Sequence, residues 1–271
     1  MVESGIRGSE RKDPPTALHR VATRLFRHVP PDPVTYWGVR AQKPGTQSVM
    51  WMNPTYNASV DADQWRIIAA HLPLRRERVL DLGCGTGRLA ARLSSQFSVY
   101  TGVDMESMVA QARNRCPSLS EYFVSSNIAS YRFPQRAFDL VLSIACISCG
   151  ACNRLNLPDL MQEVASSLTR GGRFIAIEPF HRHSLLARQL RLSAKEFAST
   201  ATECGLQLVE WRAVHTWPFR MLLSRAKCAS FPRFTKAGYR IGEILLKVSP
   251  KSMGDYSFFV FEATDGTERY D

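Results

Sequence analysis

The residues best suited to chemistry lie in segment 79–89, where an apolar run containing Asp81 leads into glycines at alternate positions. These glycines are Gly83, Gly85 and Gly87. A strand that turns sharply into a helix needs glycine there, because only a residue without a Cβ lets the backbone approach a bound ligand closely. The segment therefore predicts a nucleotide-like ligand at the end of a strand.

Two classes of nucleotide ligand fit this glycine segment. Gly85, Gly87 and Ala90 match the dinucleotide fingerprint, which favours NAD or FAD. Asp81 favours the other class, because a carboxylate two residues before the first glycine suits the cationic S-adenosylmethionine better than an anionic pyrophosphate. A P-loop is excluded, since no Gly-Lys-Ser/Thr follows the glycines.

A second carboxylate follows on the next predicted strand. Residues 98–104 are rich in β-forming side chains and end at Asp104, 17 residues after Gly87. An acid at this place can accept hydrogen bonds from ribose hydroxyls. With Asp81 and the glycines, Asp104 completes a pattern that resembles the class I S-adenosylmethionine-dependent methyltransferases. The resemblance covers roughly residues 60–265.

The resemblance implies a set of cofactor-binding residues. They are Asp81, Gly83, Cys84, Gly85, Gly87, Asp104, Met105, Asn127, Ile128 and Ser143. In this family an acid after the third strand often meets the adenine amino group. Asn127 stands at that position, and its carbonyl can accept the same hydrogen bond. Ser143 ends the fourth predicted strand, where ligands collect in open α/β sheets; a serine that merely ends a strand is an equal alternative.

Alternating strands and helices predict a doubly wound, Rossmann-like α/β sheet. The predicted strands cover residues 79–82, 98–104, 122–125, 138–144, 174–178, 207–211 and 256–262. The predicted helices cover residues 63–72, 106–113, 157–168 and 193–204. The resemblance further implies a seven-stranded sheet whose last strand is antiparallel.

The length of 271 residues and the 45% apolar content indicate one principal domain. The expected divisions are a flexible tail at 1–17, an N-terminal lid or helical extension at 18–60, a cofactor-binding core at 61–213, a basic insertion at 214–254, and a final core strand and tail at 255–271. No signal-peptide h-region or membrane-spanning apolar run is found, and the seven cysteines are scattered. We therefore expect a cytoplasmic protein with reduced thiols.

Aromatic residues and histidines supply candidates for the acceptor side of the site. Trp51 and Tyr56 belong to an aromatic-rich stretch that either walls a planar or lipid-like acceptor or packs onto the helices that flank the sheet. His181 and His183 follow the fifth predicted strand, where a histidine can take a proton from a phenol or an amine. The alternative is a pair of surface histidines in a basic loop.

One upstream motif resembles a site of a different class. Residues 53–56 read Asn-Pro-Thr-Tyr, similar to the loop with which DNA methyltransferases bind exocyclic amines. The spacing before Gly83 leaves no room for the strands that such an arrangement requires. We interpret residues 53–57 as a lid or entrance segment, with a plain Asn-Pro turn as the alternative.

Three cysteines have the spacing of an iron–sulfur motif. Cys146, Cys149 and Cys152 are three residues apart, but no fourth Cys-Pro follows them. We interpret them as small packing residues and predict no metal site. Trivalent arsenic as a methyl acceptor is the alternative.

The late part of the chain is strongly basic. Residues 180–251 hold 13 Lys and Arg against four Glu. Such a segment suits an acidic carrier protein, an anionic membrane surface or RNA, of which RNA is disfavoured because no stacking motif accompanies the charge. Pro232, Gly238 and Gly242 predict that no long helix forms here. These residues favour a solvated insertion that covers the substrate pocket.

These observations predict a methyltransferase that moves a methyl group from S-adenosylmethionine to an oxygen or nitrogen atom of a small-molecule acceptor. One alternative is an RNA or protein methyltransferase that uses the basic face. Another is a cofactor-binding partner subunit without activity of its own.

Overall fold

The computed structural model describes residues 33–151, 153–181 and 190–264. Seven strands form one sheet in the order β3-β2-β1-β4-β5-β7-β6. They are β1 (Arg78–Leu82), β2 (Val99–Asp104), β3 (Phe123–Ser125), β4 (Phe138–Ile144), β5 (Leu168–Glu178), β6 (Leu206–Thr216) and β7 (Gly254–Ala263). Strands β1 to β5 pair in parallel, whereas β7 lies antiparallel between β5 and β6. The predicted sheet, with its antiparallel last strand, is confirmed.

Eight α-helices in the described residues flank the sheet or extend from it. They are α1 (Pro33–Ala41), α2 (Pro54–Ala69), α3 (Ala90–Ser94), α4 (Glu106–Arg115), α5 (Leu157–Ser167), α6 (Ala194–Glu203), α7 (Trp217–Leu223) and α8 (Pro232–Val248). Ser193 and Glu196 form a complete capping box at the start of α6. Within the described ranges, no helix has the length and apolar character needed to cross a bilayer.

Two apolar clusters cover the two faces of the sheet. Successive residues of β1 alternate between them, because strand side chains point to opposite faces in turn. Val79 packs with Ile68 of α2 and Val109 of α4, whereas Leu80 belongs to the cluster that contains Met161 of α5 and Phe197 of α6. The strand order reverses on either side of β1, so the carboxyl ends of β1 and β4 open the crevice where such sheets bind ligands.

Helix α2 begins nine residues earlier than the sequence predicts. Asn53 caps it by accepting hydrogen bonds from the backbone N–H groups of Thr55 and Tyr56, and Pro54 occupies its first turn. Residues 53–57 thus form the cap and first turn of α2, and their role as a lid or entrance segment stays a prediction. An asparagine cap followed by proline is the sequence signal that was overlooked.

The basic segment contains a long helix, contrary to the sequence-based expectation. Pro232 opens α8, which continues for 17 residues through Gly238 and Gly242. Both glycines are buried, and a Cβ on Gly242 would lie 2.6 Å from Thr216 Oγ1 and 2.9 Å from Phe219 Cγ. The glycines allow α8 to approach β6 and α7 closely, and this packing outweighs their low helix propensity.

Replacing Gly242 with alanine tests this close packing. At a helical site with open space around it, alanine is more stabilising than glycine by about 1 kcal/mol. We nevertheless expect Gly242→Ala to lower the free energy of unfolding by about 1–3 kcal/mol, because the new methyl group overpacks the contact. Gly38→Ala in α1 is the matched control, since a Cβ there meets nothing within 4 Å. Urea unfolding should show a lower free energy of unfolding than the wild type for Gly242→Ala and a higher one for Gly38→Ala. Stabilisation by Gly242→Ala would contradict the packing argument.

Candidate functional site

The loop after β1 turns sharply and leaves no space for side chains. Gly83, Gly85 and Gly87 all have positive φ, at 78°, 56° and 72°. A Cβ on Gly83 would overlap the thiol of Cys146, and one on Gly85 would lie 2.7 Å from Val49 Cγ1. Both φ and space therefore require glycine at these two positions.

Asp104 ties this loop to the end of β2. Its carboxylate accepts hydrogen bonds from the backbone N–H of Gly85 and of Met105, both at 2.7 Å. Burial raises the pKa of Asp104 to about 6, although these two hydrogen bonds oppose the shift. The carboxyl group is thus held at the rim of a cavity that it also lines.

Asp81 is a buried carboxyl group on β1. The Tyr100 hydroxyl donates a hydrogen bond to its Oδ2 at 3.1 Å. Burial raises the pKa of Asp81 to about 7, a shift that the Tyr100 hydrogen bond and the Arg88 charge oppose. A cationic ligand nearby would favour the ionised form.

Two cavities meet at the glycine loop. The first, which we call the Asp104 cavity, measures about 330 Å³, and the second, the Asp81 cavity, about 110 Å³. Both are lined by Gly83 and Gly85, and Trp37 of α1 contributes to both. A ligand can therefore extend across the glycines from one carboxylate to the other.

Most predicted cofactor-binding residues line one of these cavities. Met105, Asn127 and Ile128 join Asp104 on the first, and Cys84 joins Asp81 on the second. The Asn127 side chain also caps a 3₁₀ turn, accepting a hydrogen bond from the backbone N–H of Ala129 at 3.0 Å. One acceptor position of its carbonyl oxygen is therefore already used.

Gly87 and Ser143 lie behind the cavity walls. A Cβ on Gly87 would face Phe123 at 3.2 Å, so this glycine serves the packing of the loop on β3. Ser143 is fully buried, and its hydroxyl donates to Glu178 Oε1 at 2.8 Å.

Glu178 organises the opposite wall, and the sequence analysis missed it. It ends β5 fully buried and accepts hydrogen bonds from Ser143, from the backbone N–H groups of Cys146 and Ile147, and from the N–H and hydroxyl of Ser148. Burial raises its pKa, and these donors oppose the shift. An acid at the end of an apolar strand was the available signal.

The two predicted acceptor residues separate in the structure. Trp51 lines the Asp81 cavity together with Tyr256, its ring lying edge-on at 6.2 Å from the Tyr256 ring. Tyr56 is buried behind Trp51, between it and Tyr239. Trp51 can thus meet a ligand directly, whereas Tyr56 supports it.

Only some of the histidine and cysteine candidates lie in the described residues. His181 Nε2 lies 2.9 Å from the backbone carbonyl oxygen of Asp255, whereas His183 lies outside the described residues. Cys146 and Cys149 line the Asp104 cavity, and Cys152 is likewise outside the described residues. Among the residues that are described, no three His, Cys, Asp or Glu side chains are grouped so as to hold a metal ion.

Three cavity-lining side chains were not among the predicted site residues. Trp37 lies on α1, Gln64 on α2, and Arg88 follows the glycine loop. Arg88 is ion-paired with Asp61 and donates to Gln64 Oε1 at 3.0 Å. The contributions of Trp37 and Gln64 depend on how α1 and α2 fold over the sheet, whereas Arg88 directly follows Gly87 in the glycine segment.

Asp81 is predicted to reduce stability at alkaline pH. Its pKa is about 7 in the folded protein and about 3.9 when unfolded, so the unfolded state binds fewer protons between these values. The free energy of unfolding therefore falls as the pH rises through this range, and the full loss is reached above pH 7. We expect Asp81→Asn to raise Tm by several degrees at pH 8 and much less at pH 5. Thermal unfolding at both pH values measures this effect.

The exposed Asp159 provides the control, because Asp159→Asn makes the same chemical change outside both cavities. An equal effect of Asp81→Asn at the two pH values would contradict the assigned pKa shift.

Comparison with known proteins identifies related sequences for the middle of the chain. Residues 79–172 match a family described as a methyltransferase domain. The demethylmenaquinone methyltransferase of Tropheryma whipplei (strain Twist) is 30% identical over 117 residues, which are 43% of this chain and 47% of that protein. The fatty-acid O-methyltransferase of Mycolicibacterium smegmatis is 28% identical over 150 residues, 54% of this chain and 50% of that protein. The chain thus spans about half the length of these curated relatives.

Solved structures share the fold at low identity. A geranyl diphosphate C-methyltransferase from Streptomyces coelicolor A3(2), solved with S-adenosyl-L-homocysteine, matches 75% of this chain and 76% of its own with a TM-score of 0.55 and 15% identity. The [4+2]-cyclase SpnF matches 76% of this chain and 82% of its own, with a TM-score of 0.53 and 19% identity. The matched family covers residues 79–172, and the strand order and the carboxylates around the glycine loop agree with a methyltransferase domain in this part of the chain.

Proposed function

We propose that this protein transfers the methyl group of S-adenosylmethionine to an oxygen or nitrogen atom of a small, largely apolar acceptor. The observation that carries the proposal is the pair of cavities that meet at Gly83 and Gly85. One cavity presents polar groups suited to a nucleoside, and the other presents a carboxylate beside an aromatic wall.

The residues present fit the cofactor. Asp104 is held where its carboxylate can accept hydrogen bonds from ribose hydroxyls, while Asn127 and Ile128 line the same cavity and suit an adenine ring. Asp81 lies in the second cavity, where its negative charge complements the cationic amino-acid part of the cofactor. The space that glycine leaves free at Gly83 and Gly85 lets the ligand cross the loop.

The acceptor side is assigned to the Asp81 cavity. Trp37, Trp51 and Tyr256 supply its aromatic lining, and such rings bind planar or aliphatic groups through large contact areas. The names of two relatives specify a demethylmenaquinone and a fatty acid as the molecules methylated. These names support an acceptor of similar apolar character here.

Positioning and exclusion of water account for the role of the protein in this reaction. The sulfonium of the bound cofactor supplies an activated methyl group, so the chain must align the acceptor and keep it dry. The aromatic lining serves both needs. His181 lies outside the lining of both cavities, and the proposal therefore does not require it as a base.

The fold alone does not decide the reaction. A similar fold belongs to a protein whose title describes a [4+2]-cyclase, so methyl transfer rests on the site and on the sequence relatives. Either an RNA or protein acceptor or a partner subunit without activity would leave the aromatic lining of the Asp81 cavity unexplained.

Cofactor binding is the first test. Asp104→Ala removes the acceptor of two backbone hydrogen bonds at 2.7 Å and the expected ribose ligand. We expect its dissociation constant for S-adenosylhomocysteine, measured by calorimetry, to rise roughly 10- to 100-fold, because hydrogen bonds to a charged group contribute about 1.5–3 kcal/mol. Asp159→Ala serves as the control and should bind as the wild type does. Binding of NAD in place of both adenosyl ligands would overturn the proposed cofactor site.

Methyl transfer itself is tested with labelled S-adenosylmethionine and a panel of quinols, phenols and fatty acids. We expect label in the apolar product, and we expect Trp51→Ala to raise KM for the acceptor with little change in affinity for S-adenosylhomocysteine. Trp65→Ala is the matched control, since Trp65 contacts Arg92 and lies outside the lining of both cavities. Equal effects of the two tryptophan variants would contradict the assignment of the acceptor side.

A further inference from the structure

Helix α8 has an unusual distribution of side chains. Its buried residues are mostly small or polar. They are Thr235, Gly238, Tyr239, Gly242 and Leu246. Its large aliphatic and aromatic residues are mainly exposed instead, with Ile244 63% and Val248 85% accessible. A helix that covers a core normally buries such residues, so the exposed ones on α8 need another explanation.

The exposed residues of α8 form two adjacent sectors. The cations are Arg233, Lys236, Arg240 and Lys247. The exposed large apolar residues are Phe234, Ile241, Ile244, Leu245 and Val248. At about 100° per residue, the cations occupy a sector about 60° wide and the apolar residues a neighbouring sector about 100° wide. We call these two sectors together the outer face of α8.

The described residues place no neutralising acid beside the cations of the outer face. Glu243 is the one acid in α8, and its carboxylate accepts hydrogen bonds from the backbone N–H groups of His215 and Thr216, both at 3.3 Å. In the described parts of the chain, no carboxylate lies within ion-pairing distance of the four cations. As far as the structure describes the chain, the outer face therefore presents a positive sector without acidic partners beside an apolar sector.

We propose that the outer face of α8 docks this protein on an anionic lipid bilayer. A helix lying in the membrane interface places its apolar sector among the acyl chains and its basic sector against the headgroups. Charge complementarity selects this occupant. Each Lys or Arg near an anionic leaflet lowers the free energy of the bound state, and so does the transfer of the adjacent apolar residues out of water.

A second copy of the chain or a nucleic acid would match the outer face less well than a bilayer does. A second copy of the chain would bring like charges together in a two-fold contact. A nucleic acid would pair with the cations but leave the exposed apolar residues in water, because its backbone offers no apolar surface to cover them. A bilayer covers both sectors at once.

The experiment is sedimentation of the purified protein with vesicles of phosphatidylcholine alone or mixed with phosphatidylglycerol. We expect binding to the mixed vesicles only, weakening as salt is added. The triple variant Lys236→Gln/Arg240→Gln/Lys247→Gln should lower the partition coefficient roughly 100-fold, at about fivefold per cation removed. The double variant Ile244→Ser/Val248→Ser should lower it by about tenfold or more. Both variants change exposed residues, and unaltered binding of S-adenosylhomocysteine would show that they remain folded.

A second triple variant controls for net charge. Arg132→Gln/Arg191→Gln/Lys195→Gln removes the same charge from exposed positions outside α8 and should bind vesicles as the wild type does. The proposal is overturned if the wild type stays in solution with anionic vesicles, if it binds neutral vesicles equally, or if this control loses binding as fully as the α8 variant. Charge-dependent retention on an acidic carrier protein without vesicle binding would assign the outer face to a protein partner instead. Sedimentation requires no turnover, so its outcome is independent of the proposed methyl transfer.

Discussion

The site depends on the hydrogen bonds that hold the glycine loop to the Asp104 carboxylate. The parallel pairing of β1 with β2 aligns Leu82 with Val103. The end of β2, where Asp104 lies, is therefore beside the start of the glycine loop that follows β1. Asp104 then accepts the Gly85 N–H, which the sharp turn leaves without a helical partner. This hydrogen bond is strengthened because few water molecules reach it. The same burial raises the pKa of Asp104.

The opposite wall uses the same physical device. Glu178 lies at the end of β5 and gathers the backbone N–H groups of residues 146–148 around one carboxylate. Cys146 in that turn comes so close to Gly83 that no side chain fits between them. Two acids at strand ends thus fix two turns against each other, and the cavities open beside this contact. Ser143 contributes by donating to Glu178, as part of the support behind the wall.

The late helices are joined to the core by small and polar residues. Asn53 caps α2, and its amide also donates to the Leu223 carbonyl at 2.8 Å and to Thr235 Oγ1 at 3.2 Å. A buried ion pair between Arg220 and Asp255 adds a connection between α7 and β7. Close approach and specific hydrogen bonds therefore supplement the apolar cluster that Tyr239 of α8 forms with Tyr56 and Leu223. The large apolar residues of this helix remain free to serve its outer face.

The local sequence determined the elements whose signals are local. Alternating apolar strands, the glycine segment and the Ser193 cap predicted the sheet, the loop and the start of α6, because each signal lies within a few residues of the structure that it specifies. The prediction for Asp81 followed from its position two residues before the first glycine, and that for Asp104 from its position at the end of a predicted strand. Their binding roles stay predictions, although the structure places both on the lining of adjoining cavities.

Only the tertiary structure decided which distant residues share those cavities and which local preferences gave way. Trp37 and Gln64 reach the site through the packing of α1 and α2, and Glu178 acts on residues about 30 positions away. Gly238 and Gly242 predict a broken helix by propensity, yet they permit a continuous one because the backbone of α8 lies against Thr216 and Leu223. A propensity describes an isolated helix, and contact with the rest of the chain contributes more free energy than that preference does.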